Sequence, residues 1–277
     1  MDRSEVDTWQ AVAGGWERQS AIFTVATARL ISRLVELCEL QGAETVLELA
    51  AGPGETGFAA AARLQDGGRL ISTDFAPEMV GVAHRRGSAI GLENVEYRTM
   101  DATAIDLDDS SVDVVLCRFG VMLTPDPAVT LGEIHRVLKP GGRAALAVWA
   151  EPERNLWISA SGMAARELGL APPPEPDAPG PFRLADKTRL RALVDGSGLD
   201  VRALDEVPVE WHADSLDEWW STVVDTSPTL AALTAAAAAD DLAGMRAASE
   251  ARIAPFVSDD GSVSLPGVAL AVGASRR

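Results

Sequence analysis

The chain has 277 residues, 47% of them apolar and 23% charged, enough to bury one good-sized core and unlike a disordered or fibrous chain. A formal charge of −17 would repel phosphate backbones and anionic lipid head groups, so a small-molecule partner is expected, with no nucleic acid and no membrane. Of the 24 basic residues only Lys139 and Lys187 are lysines, a bias read as genomic.

Residues 4–40 read as two helices, the second amphipathic: Ile22, Val25, Leu30, Leu34 and Leu37 recur near helical spacing with charges between them. Arg29, Arg33, Glu36 and Glu39 interrupt this stretch, which rules it out as a membrane span. Residues 1–16 show neither a basic leader nor an apolar run suited to secretion, and Cys38 and Cys117 stand far apart without metal-ligand spacing. A reducing, cytoplasmic location and no metal are therefore expected. From Gly42 onward, short apolar runs at 45–50, 69–73, 95–98, 112–117 and 143–149 alternate with helix-like segments. That alternation predicts a parallel sheet with helices on both faces, which binds ligands at the carboxyl ends of its strands. Lys139-Pro140-Gly141-Gly142 reads as a turn feeding the next strand. The proline-rich stretch 171–181 cannot be regular structure, since proline removes donors and fixes φ. Beyond it the pattern predicts a helix at 186–196, a strand at 199–207, an Ala-rich helical region at 214–254 and a final strand at 263–272, with no internal repeat.

The first strand runs into Gly52-Pro53-Gly54-Glu55-Thr56-Gly57, a G-x-G-x-x-G. A strand, a glycine turn and a helix in succession aim unpaired N–H groups outward and let a ligand approach the main chain. By itself this fits a nucleotide loop, including one for NAD, or a tight turn with no ligand. Asp74, twenty residues after Gly54, ends the second strand, where a carboxylate can accept from ribose hydroxyls or cap the next helix. Asp101, after the third strand, stands at the height of an adenine amine or serves simply as a turn residue. Glu48 discriminates between nucleotides. A carboxylate at the end of the first strand repels a pyrophosphate and favours a cation, and the cationic, phosphate-free nucleoside with an amino-acid tail is S-adenosylmethionine.

With these residues in view, 46–149 resembles the class I S-adenosylmethionine-dependent methyltransferases of the ubiquinone/menaquinone-methyltransferase-like type, methyltransferase type 11. VLELAAGPGETG is similar to the first motif, with Ala50 where the family's first glycine stands. STDFAPEMV resembles the second, MDATAIDL the third, DVVLCRFGVML the fourth, and EIHRVLKPGGRAALAVW the lead into the fifth strand. The resemblance implies an α/β, Rossmann-like seven-stranded sheet of order 3-2-1-4-5-7-6, strand 7 antiparallel, with a helical lid. It implies S-adenosyl-L-methionine as cofactor and S-adenosyl-L-homocysteine as product. Glu48 would then meet the methionine amino group, and the Ala50, Gly52 and Gly54 backbone would pack on the methionine part. Asp74 would bind the ribose, Phe75 and Met79 would flank the adenine, and Asp101 and Ala102 would bind its edge. Cys117 and Arg118 would line the floor near the sulfonium. A single domain, 1–277, is expected, with a lid at 1–40, a cofactor core at 41–150 and a variable half at 151–277 whose segment 208–257 caps the acceptor.

Methyl transfer from a sulfonium needs alignment, exclusion of water and, for some acceptors, a base. His212, beside Trp211 in the variable region, is the candidate base, and catalysis by proximity alone is the alternative. Seven of the fourteen aromatic residues are tryptophans, six of them outside the motif span, which fits a pocket for an aromatic or polycyclic metabolite as well as ordinary packing. Trp16, Phe119, Met122 and Trp220 are the candidate pocket residues. A monomer or homodimer is expected. An NAD-dependent oxidoreductase and a non-catalytic cofactor-binding protein are the competing readings. A nucleic-acid methyltransferase is disfavoured by charge and by CRFG standing where an N/D-P-P-Y/F tetrapeptide would be.

Overall fold

Seven strands, β1 (Thr45–Glu48), β2 (Arg69–Asp74), β3 (Val95–Thr99), β4 (Val112–Arg118), β5 (Leu138–Trp149), β6 (Leu199–Ala213) and β7 (Val263–Arg276), join in one sheet in the computed structural model. It describes residues 3–277 other than 174 and 176. The order is β3-β2-β1-β4-β5-β7-β6; neighbours from β3 to β5 are parallel, and β7 runs antiparallel to both β5 and β6. This is the Rossmann-like sheet expected from the resemblance. Its central strands are buried on both faces, as Val46, Leu47, Val114 to Leu116 and Ala144 to Val148 show, which is why they read as continuous apolar runs.

The helices are α1 (Arg3–Ala26), α2 (Ala28–Leu37), α3 (Glu55–Ala61), α4 (Pro77–Ala89), α5 (Pro127–Val137), α6 (Leu156–Glu167), α7 (Lys187–Gly196), α8 (Leu216–Thr226), α9 (Pro228–Ala236) and α10 (Ala239–Ile253). Several start where local chemistry dictates. The Asp126 carboxylate accepts the Ala128 N–H with Pro127 in the first turn, and Ser215 and Ser227 accept N–H groups from the first turns of α8 and α9.

Four features depart from the sequence reading, the first being that 139–142, read as a turn, belongs to β5. Helix α6 has no counterpart in that reading. The 199–207 strand runs on to Ala213, because 207–213 alternates buried and exposed at period two against β7. The Ala-rich region breaks into three helices, at Ser227-Pro228 and again at Ala237-Ala238.

One core cluster extends from Phe23 to Ala274, so helices from both halves of the chain pack on the same sheet. Helix α1 meets α4, α8, α9 and β6, and its Val12 and Ala13, flanked by Trp9 and Trp16, cover Ala76, Met79 and Val82. No helix among the described residues is long and apolar enough to cross a membrane.

Candidate active site at the carboxyl edge of the sheet

Between β1 and α3 the chain turns through two left-handed residues, Ala50 (φ 51°) and Gly52 (φ 53°), before Gly54 caps α3 with φ 93°. The left-handed region costs a non-glycine residue about 1 kcal/mol, which accounts physically for the glycine that the resembling family carries where Ala50 stands. Space beyond Gly52 is open even to an added Cβ, so this loop leaves its main chain approachable.

Asp74 ties the loop to its surroundings. One oxygen accepts the Gly52 N–H and the other the Ala76 N–H, each at 3.0 Å. Ala76, not Asp74, is the N-cap of α4, with Pro77 following. Burial raises the Asp74 carboxyl to about 6, against the pull of these N–H groups.

Glu48 differs from its expected role. It is 2% exposed, and its oxygens accept from the Gly57 N–H at 2.6 Å and the Ser72 hydroxyl at 2.9 Å. Burial pushes its carboxyl up to about 8, so near neutral pH it is mostly protonated. Through these two bonds Glu48 fastens α3 to β2 beneath the loop. A Cβ on Gly57 would overlap the Glu48 carboxylate, so the last glycine of the motif makes room for that bond.

The charge at the crevice comes from Arg118, already a candidate, and from Glu55 and Arg86, which local reading passed over. The Glu55 carboxylate lies between Arg86 and Arg118, 2.7 Å from each, and Arg86 also bonds the Pro53 carbonyl. Arg118 reaches the Thr27 hydroxyl at 3.2 Å, in the break between α1 and α2. The loop and the N-terminal helices are thus joined through one guanidinium. Glu55's place inside the glycine motif and Arg118's in the fourth motif were the hints in the sequence.

Cys117 is buried, and its thiol is pushed up to about 12 by burial. A Cβ on Gly120 would lie 2.6 Å from both the Ala50 Cβ and the Cys117 Sγ, so β4 and the glycine loop pack against each other at this residue. Asp101 accepts the Thr103 N–H and hydroxyl at 2.8 and 2.7 Å, and Ala102 beside it is buried. Phe75 is half-buried, while Met79 lies beneath α1.

Of the pocket candidates, Phe119 stacks on Trp149 at 3.9 Å and Trp16 tilts against Phe23 at 4.4 Å. Both belong to an aromatic wall that includes Trp157 and Trp211. The other two fall elsewhere. Met122 is a core residue whose carbonyl accepts the Gly180 N–H, and Trp220 packs beside Ala164, Ala165 and Met245 with Arg246 5.9 Å from its ring. His212 alternates with buried Trp211 on β6; its ring is 59% exposed and rests near Ser264 and Asp214. Although largely exposed, it also lines a narrow cleft with Trp157, Trp211 and Trp219.

An adenosyl amino acid fits this edge. Asp74 keeps lone pairs for hydroxyls, Arg118 offers positive charge for a carboxylate, the Thr56 hydroxyl is buried without a partner among the described residues, and the loop beside them is open at Gly52. Among the described residues no cluster of three or more His, Cys, Asp or Glu could hold a metal ion.

Residues 47–146 match the family described as a methyltransferase domain. A demethylmenaquinone methyltransferase of Thermus thermophilus is 34% identical over 130 residues, 47% of this chain and 58% of the relative. The chain thus spans little more than half the length of that relative. A candidate methyltransferase of Bacillus halodurans superposes with a TM-score of 0.61 at 19% identity, over 89% of this chain and 98% of that one. The [4+2]-cyclase SpnF gives 0.58 at 17% identity over 97% and 96%. At such identities the likeness is one of fold. The sheet order and the match over 47–146 give a methyltransferase domain on the Rossmann-like sheet that the resemblance to class I methyltransferases implied. More narrowly, the matched span is similar to the demethylmenaquinone and ubiquinone/menaquinone C-methyltransferases.

Proposed function

We propose that the chain transfers the methyl group of S-adenosyl-L-methionine to a small, flat, largely apolar acceptor, an aromatic or polycyclic metabolite. The observation that carries this reading is the convergence, at one sheet edge, of the Asp74-braced glycine loop, Arg118 and the Phe119–Trp149 stack. When bound, the cofactor supplies an electrophilic methyl with a good leaving group. Asp74 holds the ribose, Arg118 the carboxylate of the amino-acid tail, and Met79 the adenine. Asp101 and Ala102 bound the adenine edge, and Cys117 packs the floor. Alignment and the exclusion of water carry the rate, with His212 the candidate base where an acceptor needs one. Helices α1, α2 and α8 to α10 form the lid, around a cofactor core at 41–150. The relative's printed name supports a quinone-like ring as one such acceptor.

A thermal melt tests the cofactor. S-adenosylhomocysteine should raise Tm and NADH should not, and the reverse result would remove this reading in favour of an oxidoreductase. Labelled S-adenosylmethionine with phenols, indoles and amines then tests transfer. Because a cyclase shares the fold, saturable binding without turnover on any acceptor would favour a non-methylating role.

A further inference from the structure

Arg118 ends β4 with a side chain only 8% exposed, and both of its terminal nitrogens are gripped. Nη2 donates to Glu55 at 2.7 Å and Nη1 to the Thr27 hydroxyl at 3.2 Å. Thr27 is fully buried, and its hydroxyl gives its own proton to the Phe23 carbonyl at 2.7 Å, so towards Arg118 it can only accept. The other Glu55 oxygen is taken by Arg86. The residue after Arg118, Phe119, has φ 64°, a left-handed conformation that aromatic residues rarely adopt, so the chain stores strain directly beside this guanidinium.

Two of the five guanidinium N–H groups are thus occupied, and the other three have no hydrogen-bond partner among the described residues. Donors so far removed from water call for acceptors. Held at both ends, the planar fork cannot turn, and its remaining N–H groups keep fixed directions, which lowers the entropy lost when a carboxylate docks on them. Thr27 contributes to this from outside the matched span 47–146, at the single residue where α1 ends and α2 begins, with φ −99° and ψ 12°.

We infer that Thr27 is a positioning residue for the amino-acid tail of the cofactor: its hydroxyl, together with Glu55, fixes the direction in which Arg118 presents its free N–H groups to the tail's carboxylate. The inference rests on the methyltransferase reading, with Arg118 as the holder of that tail. Calorimetry on the full chain with S-adenosylhomocysteine and with 5′-methylthioadenosine, which shares the adenosyl thioether and lacks the amino-acid tail, tests it. The wild-type chain should prefer S-adenosylhomocysteine. Thr27→Val, which keeps the shape and loses the acceptor, should weaken S-adenosylhomocysteine about fivefold and leave methylthioadenosine unchanged, and Thr27→Ser should restore the wild-type preference. In an Arg118→Gln background Thr27→Val should have no further effect on either ligand. Arg118→Lys keeps the charge but offers one nitrogen to two anchors, so it too should lose the preference, and it serves as the test if valine is not tolerated at position 27. A preference that survives Thr27→Val or Arg118→Lys, or an equal loss for both ligands, overturns the inference. A wild-type chain that binds both ligands equally overturns it while leaving an adenosyl site, whereas binding of neither removes the methyltransferase reading as well.

Discussion

Arg118 at the end of β4 and Glu55 in the first turn of α3 meet at 2.7 Å, with side chains only 8% and 3% exposed. A carboxylate removed from water this far is tolerated because two guanidiniums flank it. Arg118→Gln leaves Arg86 as the remaining ion-pair partner and should cost about 1.5–3 kcal/mol of stability in urea unfolding. In the pair Arg118→Gln/Glu55→Gln the losses should be markedly less than additive. Strict additivity would mean that the two groups do not interact.

The second prediction concerns Glu48 and pH. Its carboxyl is raised from near 4.5 to about 8 in the folded chain, so between those values the folded state keeps a proton that the unfolded state has released. Stability from this group therefore falls as pH rises from about 5 towards 8. Glu48→Gln, which can still accept from Gly57 and meet Ser72, should flatten that part of the Tm profile. An unchanged slope would assign the pH dependence to other groups.

Gly57→Ala should destabilise although alanine favours helix, because the new Cβ collides with the Glu48 carboxylate. A loss of about 1–3 kcal/mol is expected. Introduced into a Glu48→Ala chain, the same substitution should cost much less. If urea midpoints show the same loss in both backgrounds, the collision is not its cause.

For Asp74, the proposed ribose contact makes cofactor affinity depend on an ionised carboxylate. Asp74→Asn should weaken S-adenosylhomocysteine binding by about 1.5–3 kcal/mol, measured by calorimetry. Because burial raises this carboxyl to about 6, wild-type affinity should fall as pH drops through that value, and the Asn variant should lack the step. Identical pH profiles would place the ribose elsewhere.

Much of this was legible locally. The apolar runs of β1, β2, β4 and β5, and the glycine turn between β1 and α3, follow from period and from conformational freedom. So does the presence of a carboxylate at each of two strand ends. The partners of those carboxylates were not legible. Glu48 finds Ser72 twenty-four residues on through the pairing of β1 with β2, and Arg118 at the end of β4 finds Glu55 at the start of α3 sixty-three residues back. The surroundings of His212 were not legible either: near the end of β6 its ring is largely exposed and also borders the cleft lined by Trp157, Trp211 and Trp219.

Taken alone, the order of residues determined the element types, the parallel sheet and the chemistry of the loop, since backbone propensity and hydrophobic period act over a few residues. Tertiary structure alone decided that burial raises the Glu48 carboxyl, that Arg118 clamps Glu55, and that Trp157 and Trp211 stack. Burial and pairing depend on what the folded chain brings alongside a group, and both reach across residues that no local pattern connects.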